Sequence, residues 1–192
     1  MARKASPGGN AYRPGKIAVP HVLILGMTES GKTSLARAMC HAYKARGIST
    51  LVLDPLNDPR WQADFQTSNP ADFLRVYWAN KKCAAFIDEG GLVAGRFDDT
   101  MITTATQGRH WGHNNHYISQ RATLLSLTIR EQCSELYLFA MAKAGCKSLA
   151  EDFNKPQLLE ASEFLDGTYF RCGRFIPLSK HVLFPPKKRM QL

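Results

Sequence analysis

The chain of 192 residues has no long hydrophobic run, no acidic residue within residues 1–21 or 167–192, and no closely paired cysteines. Its apolar runs, such as residues 22–25, are far shorter than the roughly 20 residues that a membrane-spanning helix needs. Residues 1–4 lead into glycine and proline rather than an apolar segment, so we expect no signal peptide and a soluble, cytoplasmic protein. With 44% hydrophobic and 21% charged residues, the composition predicts one folded domain.

The five cysteines are an odd number and include no C-x-x-C pair. Their spacing fits neither a disulfide framework nor a zinc module, so we predict reduced, buried thiols. His110, His113 and His116 are three residues apart, a spacing that also suggests a metal site. No cysteine or acidic residue accompanies them locally, and Gly112 indicates a turn between a helix and a strand. The pattern therefore favours a turn over a zinc site.

The positive charge of the chain is concentrated at its ends. The formal net charge is +9, with four basic residues in segment 1–21 and six in segment 167–192, while the interior is close to neutral. This distribution favours contact with a polyanion, nucleic acid before a membrane surface. The alternative is that the basic ends only aid solubility. We predict a flexible basic arm over residues 1–20, a single domain over 21–184, and a basic tail over 185–192.

From residue 21 onward, short apolar runs alternate with segments of helical periodicity. Five runs are typical of buried strands, at residues 22–25, 50–53, 83–87, 116–119 and 136–140. Helical patterns lie between them, at residues 32–46, from 70 onward, 98–111 and 124–133. This alternation predicts an α/β fold with a mainly parallel sheet and helices on both faces.

The remaining segments are less regular. Residues 56–69 are polar and are predicted to be irregular. A last helical stretch over residues 148–164 precedes a C-terminal β-hairpin over 168–178, with its turn near Cys172 and Gly173. In parallel sheets ligands bind beyond the carboxyl ends of the strands, so the residues that follow each strand matter most.

The first predicted strand is followed by a complete G-x-x-x-x-G-K-[ST] motif, at residues 26–33, and a helix follows the motif. Backbone N–H groups of such a loop hold phosphate oxygens, Lys32 would reach the β- and γ-phosphates, and the Thr33 hydroxyl would hold Mg²⁺. Glu29 is unexpected beside a triphosphate, and we expect it to point away from the phosphates or toward a neighbouring subunit. The predicted nucleotide-binding residues are Gly26, Met27, Thr28, Glu29, Ser30, Gly31, Lys32, Thr33 and Ser34.

Two acidic residues, Asp88 and Glu89, follow the third predicted strand. Asp88 is expected to anchor the Mg²⁺ shell. Glu89 is expected to accept a proton from, or orient, an attacking water. The alternative is a surface turn with two acids, but the preceding run is wholly of the buried type. The pair favours ATP hydrolysis over phosphate transfer to a second substrate.

The fourth predicted strand ends in Ser119-Gln120-Arg121. In the strand order 5-1-4-3-2, typical of phosphate-loop enzymes with a catalytic glutamate, this strand lies between the phosphate loop and the Asp88-Glu89 strand. The Gln120 amide would then touch both the γ-phosphate and the attacking water. The alternative is a polar strand-end residue whose hydrogen bonds are satisfied by the backbone.

These motifs, with Arg109-His110-Trp111-Gly112 before strand four and Thr128-Ile129-Arg130 after it, resemble the FtsK–HerA superfamily of DNA-pumping ATPases. The likeness covers most of residues 20–150 and implies a P-loop NTPase fold of the ASCE, RecA-like type. The short chain, without a fused membrane or DNA-reading domain, is most similar to the viral branch. That branch comprises genome-packaging ATPases of tailless, often membrane-containing viruses.

The resemblance implies a ring of five or six subunits that uses ATP and Mg²⁺ to drive double-stranded DNA into a preformed capsid. It further implies sequence-independent contacts to the DNA backbone and partners at the packaging vertex or portal, close to a viral membrane. The implied location is the host cytoplasm during assembly, or the packaging vertex of the virion. Arg109 lies eleven positions before Gln120, where the superfamily has a trans-acting arginine finger.

Two positions depart from the pattern: Ala122 stands where proline often follows the Gln-Arg pair, and Glu29 stands where the loop often has a small residue. Three other functions remain open from the sequence. The same engine could serve DNA transfer in conjugation or phage extrusion. The chain could also be a small-molecule or nucleotide kinase, or a nucleic-acid-binding scaffold without catalysis.

Overall fold

The computed structural model describes residues 20–88 and 98–183. Glu89, residues 1–19 of the predicted arm and the predicted tail over 185–192 lie outside this range. Among the described residues, no helix combines the length and the apolar character that crossing a membrane requires.

The described chain forms one eight-stranded sheet, in the order β3-β2-β4-β5-β1-β6-β7-β8. Strands β1 to β6 are parallel to their neighbours, and the pairs β6–β7 and β7–β8 are antiparallel. The strands are β1 His21–Leu25, β2 Thr50–Leu53, β3 Phe65–Thr67, β4 Ala84–Ile87, β5 Asn114–Ser119, β6 Cys133–Phe139, β7 Thr168–Gly173 and β8 Ser179–Val182.

In the described residues, the α-helices that connect and cover these strands are α1 Lys32–Ala45, α2 Pro70–Ala79, α3 Asp98–Gln107, α4 Leu127–Gln132 and α5 Lys143–Phe153. Short 3₁₀ segments supplement them at Pro59–Trp61, Gly108–Trp111, Ala122–Leu124 and Pro156–Glu163. Polar side chains cap the start of two of these helices, α2 and α4. The Asn69 side chain, for example, accepts hydrogen bonds from the first turn of α2, which has proline at its first position.

Alternate residues of β1 supply the two halves of the core. Val22 and Ile24 pack against α1, whereas Leu23 and Leu25 pack on the opposite face with helices α2 to α5. Because side chains of a strand point alternately to the two sides, only a strand covered on both faces is apolar throughout. This confirms the predicted α/β fold with helices on both faces.

The five predicted strands all form, and their order 5-1-4-3-2 is the order of β6-β1-β5-β4-β2. The predicted irregular stretch over residues 56–69 is wrong in part, because Phe65–Thr67 forms edge strand β3 beside β2. The helical stretch predicted over residues 148–164 is confirmed in part. It contains the second half of α5, which begins earlier at Lys143 and ends at Phe153, and the 3₁₀ segment Pro156–Glu163. The C-terminal hairpin is confirmed, but its turn comes after Gly173.

All five cysteines are buried and free, as the sequence predicts. Burial raises the pKa of Cys40 and of Cys172 to about 11, so both thiols are protonated at neutral pH. They therefore act as small core side chains rather than as nucleophiles.

Candidate nucleotide-binding site

The phosphate-loop motif forms a tight loop between β1 and α1 that wraps around the ammonium group of Lys32. Lys32 is the first residue of α1 and is buried, and its Nζ donates a hydrogen bond of 3.1 Å to the Met27 carbonyl oxygen. The backbone has φ of 65° at Glu29 and 105° at Gly31, so it curves through the left-handed region at both positions. This region suits glycine and is unfavourable for Glu29, whose side chain is exposed.

The loop has the properties of an anion cradle. Within the described ranges, the N–H groups of Thr28, Gly31 and Thr33 donate no hydrogen bond, and the buried Ser30 Oγ has no partner. A Cβ on Gly26 would lie 2.6 Å from Phe139 Cβ and 2.7 Å from Ser30 Oγ, so only glycine fits there. Free amides at a helix N-terminus with a buried lysine suit the phosphates of a nucleotide.

Strands β1, β5 and β4 place Gln120 and Asp88 on the same edge of the sheet as this loop. Leu25 pairs with Ser119, and the Gly26 N–H donates to the Ser119 carbonyl oxygen at 3.3 Å. Gln120 therefore follows β5 directly beside the start of the loop, one strand spacing of about 4.8 Å away. Asp88 follows β4, the next strand along, and is buried, and its N–H donates to the Leu53 carbonyl oxygen at 2.9 Å.

The predicted magnesium ligands fit this edge. Thr33 lies in the first turn of α1, and Asp88 ends the strand beyond β5. A hydroxyl and a carboxylate are hard oxygen ligands of the kind that Mg²⁺ takes beside nucleotide phosphates. Glu89 comes directly after Asp88 and lies outside the described residues, so its role stays a prediction.

Arg109 lies at the opposite edge of the sheet, which is formed by the amino ends of the parallel strands. It belongs to the 3₁₀ segment Gly108–Trp111 before β5, and its Nη2 donates a hydrogen bond to the carbonyl oxygen of Gln132 before β6. The five residues of β1 separate the two edges by about 16 Å. Burial first, and then the positive charge of Arg109, lower the pKa of nearby His21 to about 3. Arg109 is thus not part of the nucleotide site of its own chain.

The turn that precedes the C-terminal hairpin adds residues to the site that the sequence did not predict. The Gly167 N–H donates to the Ser30 carbonyl oxygen at 3.2 Å, and Asp166 lines two hollows that Glu29 also lines. Arg37 lines one of these hollows with Ser34, one helical turn before it. The i, i+3 spacing of Ser34 and Arg37 indicates that both side chains lie on the same face of α1, so the position of Arg37 beside the loop was predictable from the sequence. Asp166 had none, because its position depends on β7 pairing with β6.

Several other residues that the sequence analysis considered have structural roles. His113 and His116 are buried against aromatic rings of Tyr77 and Phe86, with ring centroids 4.1 and 4.2 Å apart. Gly112 ends the 3₁₀ segment before β5 with φ of 79°, which confirms the predicted turn. No group of three or more potential metal ligands occurs in the described segments. Arg130 forms an ion pair of 2.5 Å with Asp152, and this pair joins α4 to α5.

No protein-family model and no curated protein sequence matches this chain significantly. Solved structures do match. The genome packaging NTPase B204 from Sulfolobus turreted icosahedral virus 2, in complex with AMPPCP, has a TM-score of 0.72 at 14% identity, over 86% of this chain and 98% of that one. The pCW3 conjugation coupling protein TcpA has a TM-score of 0.68 at 15% identity, over 86% of this chain and 60% of that one.

A third similar structure is the cytoplasmic domain of the Thermomonospora curvata Type VII Secretion ATPase EccC, with a TM-score of 0.63 at 14% identity, over 85% of this chain and 25% of that one. At identities this low the likeness shows a common fold. The P-loop NTPase fold that the sequence motifs predict is therefore confirmed, and a viral genome packaging NTPase is among the proteins that have it.

Proposed function

We propose that this protein is an ATP-hydrolysing motor that moves double-stranded DNA, and that it packages viral DNA into a preformed capsid. The observation that carries the proposal is the convergence of three strand ends on one edge. The phosphate loop after β1, Gln120 after β5 and Asp88 after β4 follow adjacent strands in the order that hydrolytic P-loop enzymes use.

The residues of this edge have distinct roles in the proposed reaction. Thr33 and Asp88 would hold Mg²⁺, which when bound neutralises charge on the phosphates. Lys32 contacts the β- and γ-phosphates in place of the Met27 carbonyl, and Glu89 accepts the proton of the attacking water. A bond forms between the water oxygen and the γ-phosphorus, and the bond to the β–γ bridging oxygen breaks, giving ADP and phosphate. Gln120 orients the water against the γ-phosphate.

Arg109 completes the site of a neighbouring subunit in a ring of five or six. Its position at the edge opposite its own phosphate loop supports this assignment, because it cannot act within its own subunit without crossing the sheet. In GTPases a trans-acting arginine contributes about 10³–10⁵ in rate. The hydrogen bond from Arg109 to Gln132 must break for the guanidinium to reach across a subunit boundary.

The proposed substrate is the backbone of double-stranded DNA, contacted without reading of bases. The excess of basic residues in segments 1–21 and 167–192 supports this, since contacts to phosphates are independent of sequence. Packaging is favoured over other DNA movements because the chain spans 98% of the B204 packaging NTPase. The alternative is DNA transfer in conjugation, which the fold shared with TcpA supports, although this chain spans 60% of TcpA. We place the motor in the host cytoplasm during assembly, at the packaging vertex.

ATP turnover with and without double-stranded DNA, measured together with the mass of the assembly, tests this function. We expect turnover that DNA stimulates in an assembly of five or six subunits. Phosphate transfer to a nucleotide, with indifference to DNA, would instead identify a kinase. DNA binding that is equal with and without nucleotide, in the absence of turnover, would identify a scaffold.

Mixing two inactive variants tests the role of Arg109. Arg109→Ala keeps its phosphate loop, and Lys32→Ala keeps its arginine. Mixed rings therefore contain interfaces with both functional groups, and we expect partial recovery of turnover. Failure of well-assembled mixed rings to recover any activity would contradict a trans-acting Arg109.

A further inference from the structure

A cavity of about 420 Å³ opens beside the phosphate loop, above the carboxyl ends of β5, β1 and β6. Thr28 of the loop, Gln120, Arg121, Met141 and Gly145 are among the residues that line it. Among the described residues, its lining includes no aspartate or glutamate, and Arg121 is the charged residue that lines it. The described lining of the cavity is therefore positively charged.

The two hollows beside Glu29 carry charges of both signs. Glu29 and Asp166 line both hollows, and Lys32 and Arg37 also line one of them. The negative charge of a nucleoside triphosphate is greatest at its γ end. Because the described lining of the 420 Å³ cavity has Arg121 and no carboxylate, the cavity suits a γ-phosphate directed toward Gln120 and Arg121.

Arg121 is free to bind an anion. Its side chain is exposed, and in the described part of the chain no carboxylate pairs with it, whereas Arg37, Arg60, Arg75, Arg130 and Arg171 each pair with one. Its backbone is fixed, because the Arg121 carbonyl oxygen accepts hydrogen bonds from Ser119 Oγ and the Leu124 N–H, both at 3.2 Å. A guanidinium on a fixed backbone can donate two parallel hydrogen bonds to a phosphate.

We propose that Arg121 contacts the γ-phosphoryl group within its own subunit and holds inorganic phosphate in this cavity after cleavage. The proposal rests on the proposed ATPase function. Arg121 forms no covalent bond, and stabilises the charge of the phosphoryl oxygens during transfer and of the phosphate before it leaves. The site then uses two arginines: Arg121 from the subunit that binds the nucleotide, and Arg109 from a neighbour.

Turnover by full-length variants tests this role. We expect Arg121→Ala to lower kcat by about 10²-fold, the usual cost of removing one donor to a transferring group, with KM for ATP little changed. Arg121→Lys keeps the charge without the paired donors, so it should recover part of the loss. Arg46→Ala is the matched control, since Arg46 is exposed, has no ion pair in the described structure and ends α1 at the opposite edge.

Two further measurements separate the possible failures. In mixed rings, Arg121→Ala with Lys32→Ala should show no recovery of turnover, because both groups act on the same nucleotide in one subunit. Inorganic phosphate is titrated, in the presence of ADP, into the wild-type protein and into each variant. We expect Arg121→Ala to bind phosphate at least tenfold more weakly than Arg46→Ala does. This binding measurement does not need turnover, so it tests Arg121 even if the ATPase proposal fails.

An Arg121→Ala protein with the kcat and phosphate affinity of the Arg46→Ala control would overturn the proposal. Recovery of activity in rings that mix Arg121→Ala with Lys32→Ala would overturn the assignment to the same subunit. A wild-type protein without turnover, but with phosphate affinity that depends on Arg121, would contradict the proposed function and keep the anion site.

Discussion

Two buried histidines make the stability of this fold depend on pH between about 4 and 7. The His116 ring stacks on Phe86, with centroids 4.2 Å apart at 12°, and its Nε2 is buried without a hydrogen-bond partner in the described structure. His21 accepts a hydrogen bond from the Asn115 N–H through Nδ1, and its Nε2 is likewise buried without a partner. Burial lowers the pKa of His116 to about 4 and that of His21 to about 3.

Because both pKa values are lowered in the folded protein, the free energy of unfolding decreases as the pH falls. Both histidines are neutral in the folded protein, and they take up protons in the unfolded chain below a pKa of about 6.5. The unfolded state then binds more protons, so the free energy of unfolding falls as the pH falls from 6.5 toward 4. From pH 7.5 to pH 5.0 each histidine costs about 2 kcal/mol of stability, and the two together cost about 4 kcal/mol. This is a large part of the 5–15 kcal/mol that is typical of domains.

Urea unfolding of the full chain at pH 7.5 and pH 5.0 measures this difference directly. His116→Phe keeps a ring that can stack on Phe86 and removes one titrating group, so we expect it to reduce the loss between the two pH values by about 2 kcal/mol. His110→Asn changes an exposed histidine and should leave the loss unchanged. Asp58, whose pKa the hydrogen bonds from Arg60 lower to about 2, titrates below this window. Equal stability of the wild-type protein at the two pH values would refute the reasoning.

Three further predictions concern the site and the ends of the chain. Glu89→Gln should keep ATP binding, measured with a fluorescent nucleotide, and abolish turnover; a variant with full turnover would remove Glu89 as the general base. Gly26→Ala places a Cβ 2.6 Å from Phe139 Cβ, so it should weaken nucleotide binding at least tenfold and cost about 1–3 kcal/mol of stability in urea. Removal of residues 1–19 or 185–192 should weaken DNA binding and flatten its salt dependence, whereas an unchanged slope would assign these ends to solubility alone.

The central sheet could be predicted from the sequence because strands buried on both faces are continuous apolar runs. β1 and β2 are wholly buried, and their residues are those that the pattern indicates. Edge strand β3 gave no such signal, since its three residues are only half-buried. The helix predicted over residues 148–164 is two helical segments in the structure. α5 ends at Phe153, Asn154 caps it with φ of 51°, and Pro156 begins the 3₁₀ segment that follows.

The hairpin turn shows why a glycine alone is an ambiguous signal. Cys172 and Gly173 predict a turn, but in the structure they pair with Leu136 and Glu135 of β6. A Cβ on Gly173 would lie 2.5 Å from the carbonyl oxygen of Ser134. The glycine is needed there for the close approach of two backbones and not for a positive φ, a distinction that only the pairing of β7 with β6 reveals.

The bounds of β5 determine the positions of both Arg109 and Gln120. Gln120 comes directly after β5, and the residues before it fill the strand, so a residue eleven positions earlier lies beyond the amino end of β5. A spacing of this length therefore places the arginine and the glutamine at opposite edges of the sheet. If both act on one triphosphate, two subunits must contribute them, and the face around Arg109 must contact the phosphate-loop face of a neighbour. A head-to-tail contact of this kind closes into a ring when its rotation permits, which is the assembly that the proposed function requires.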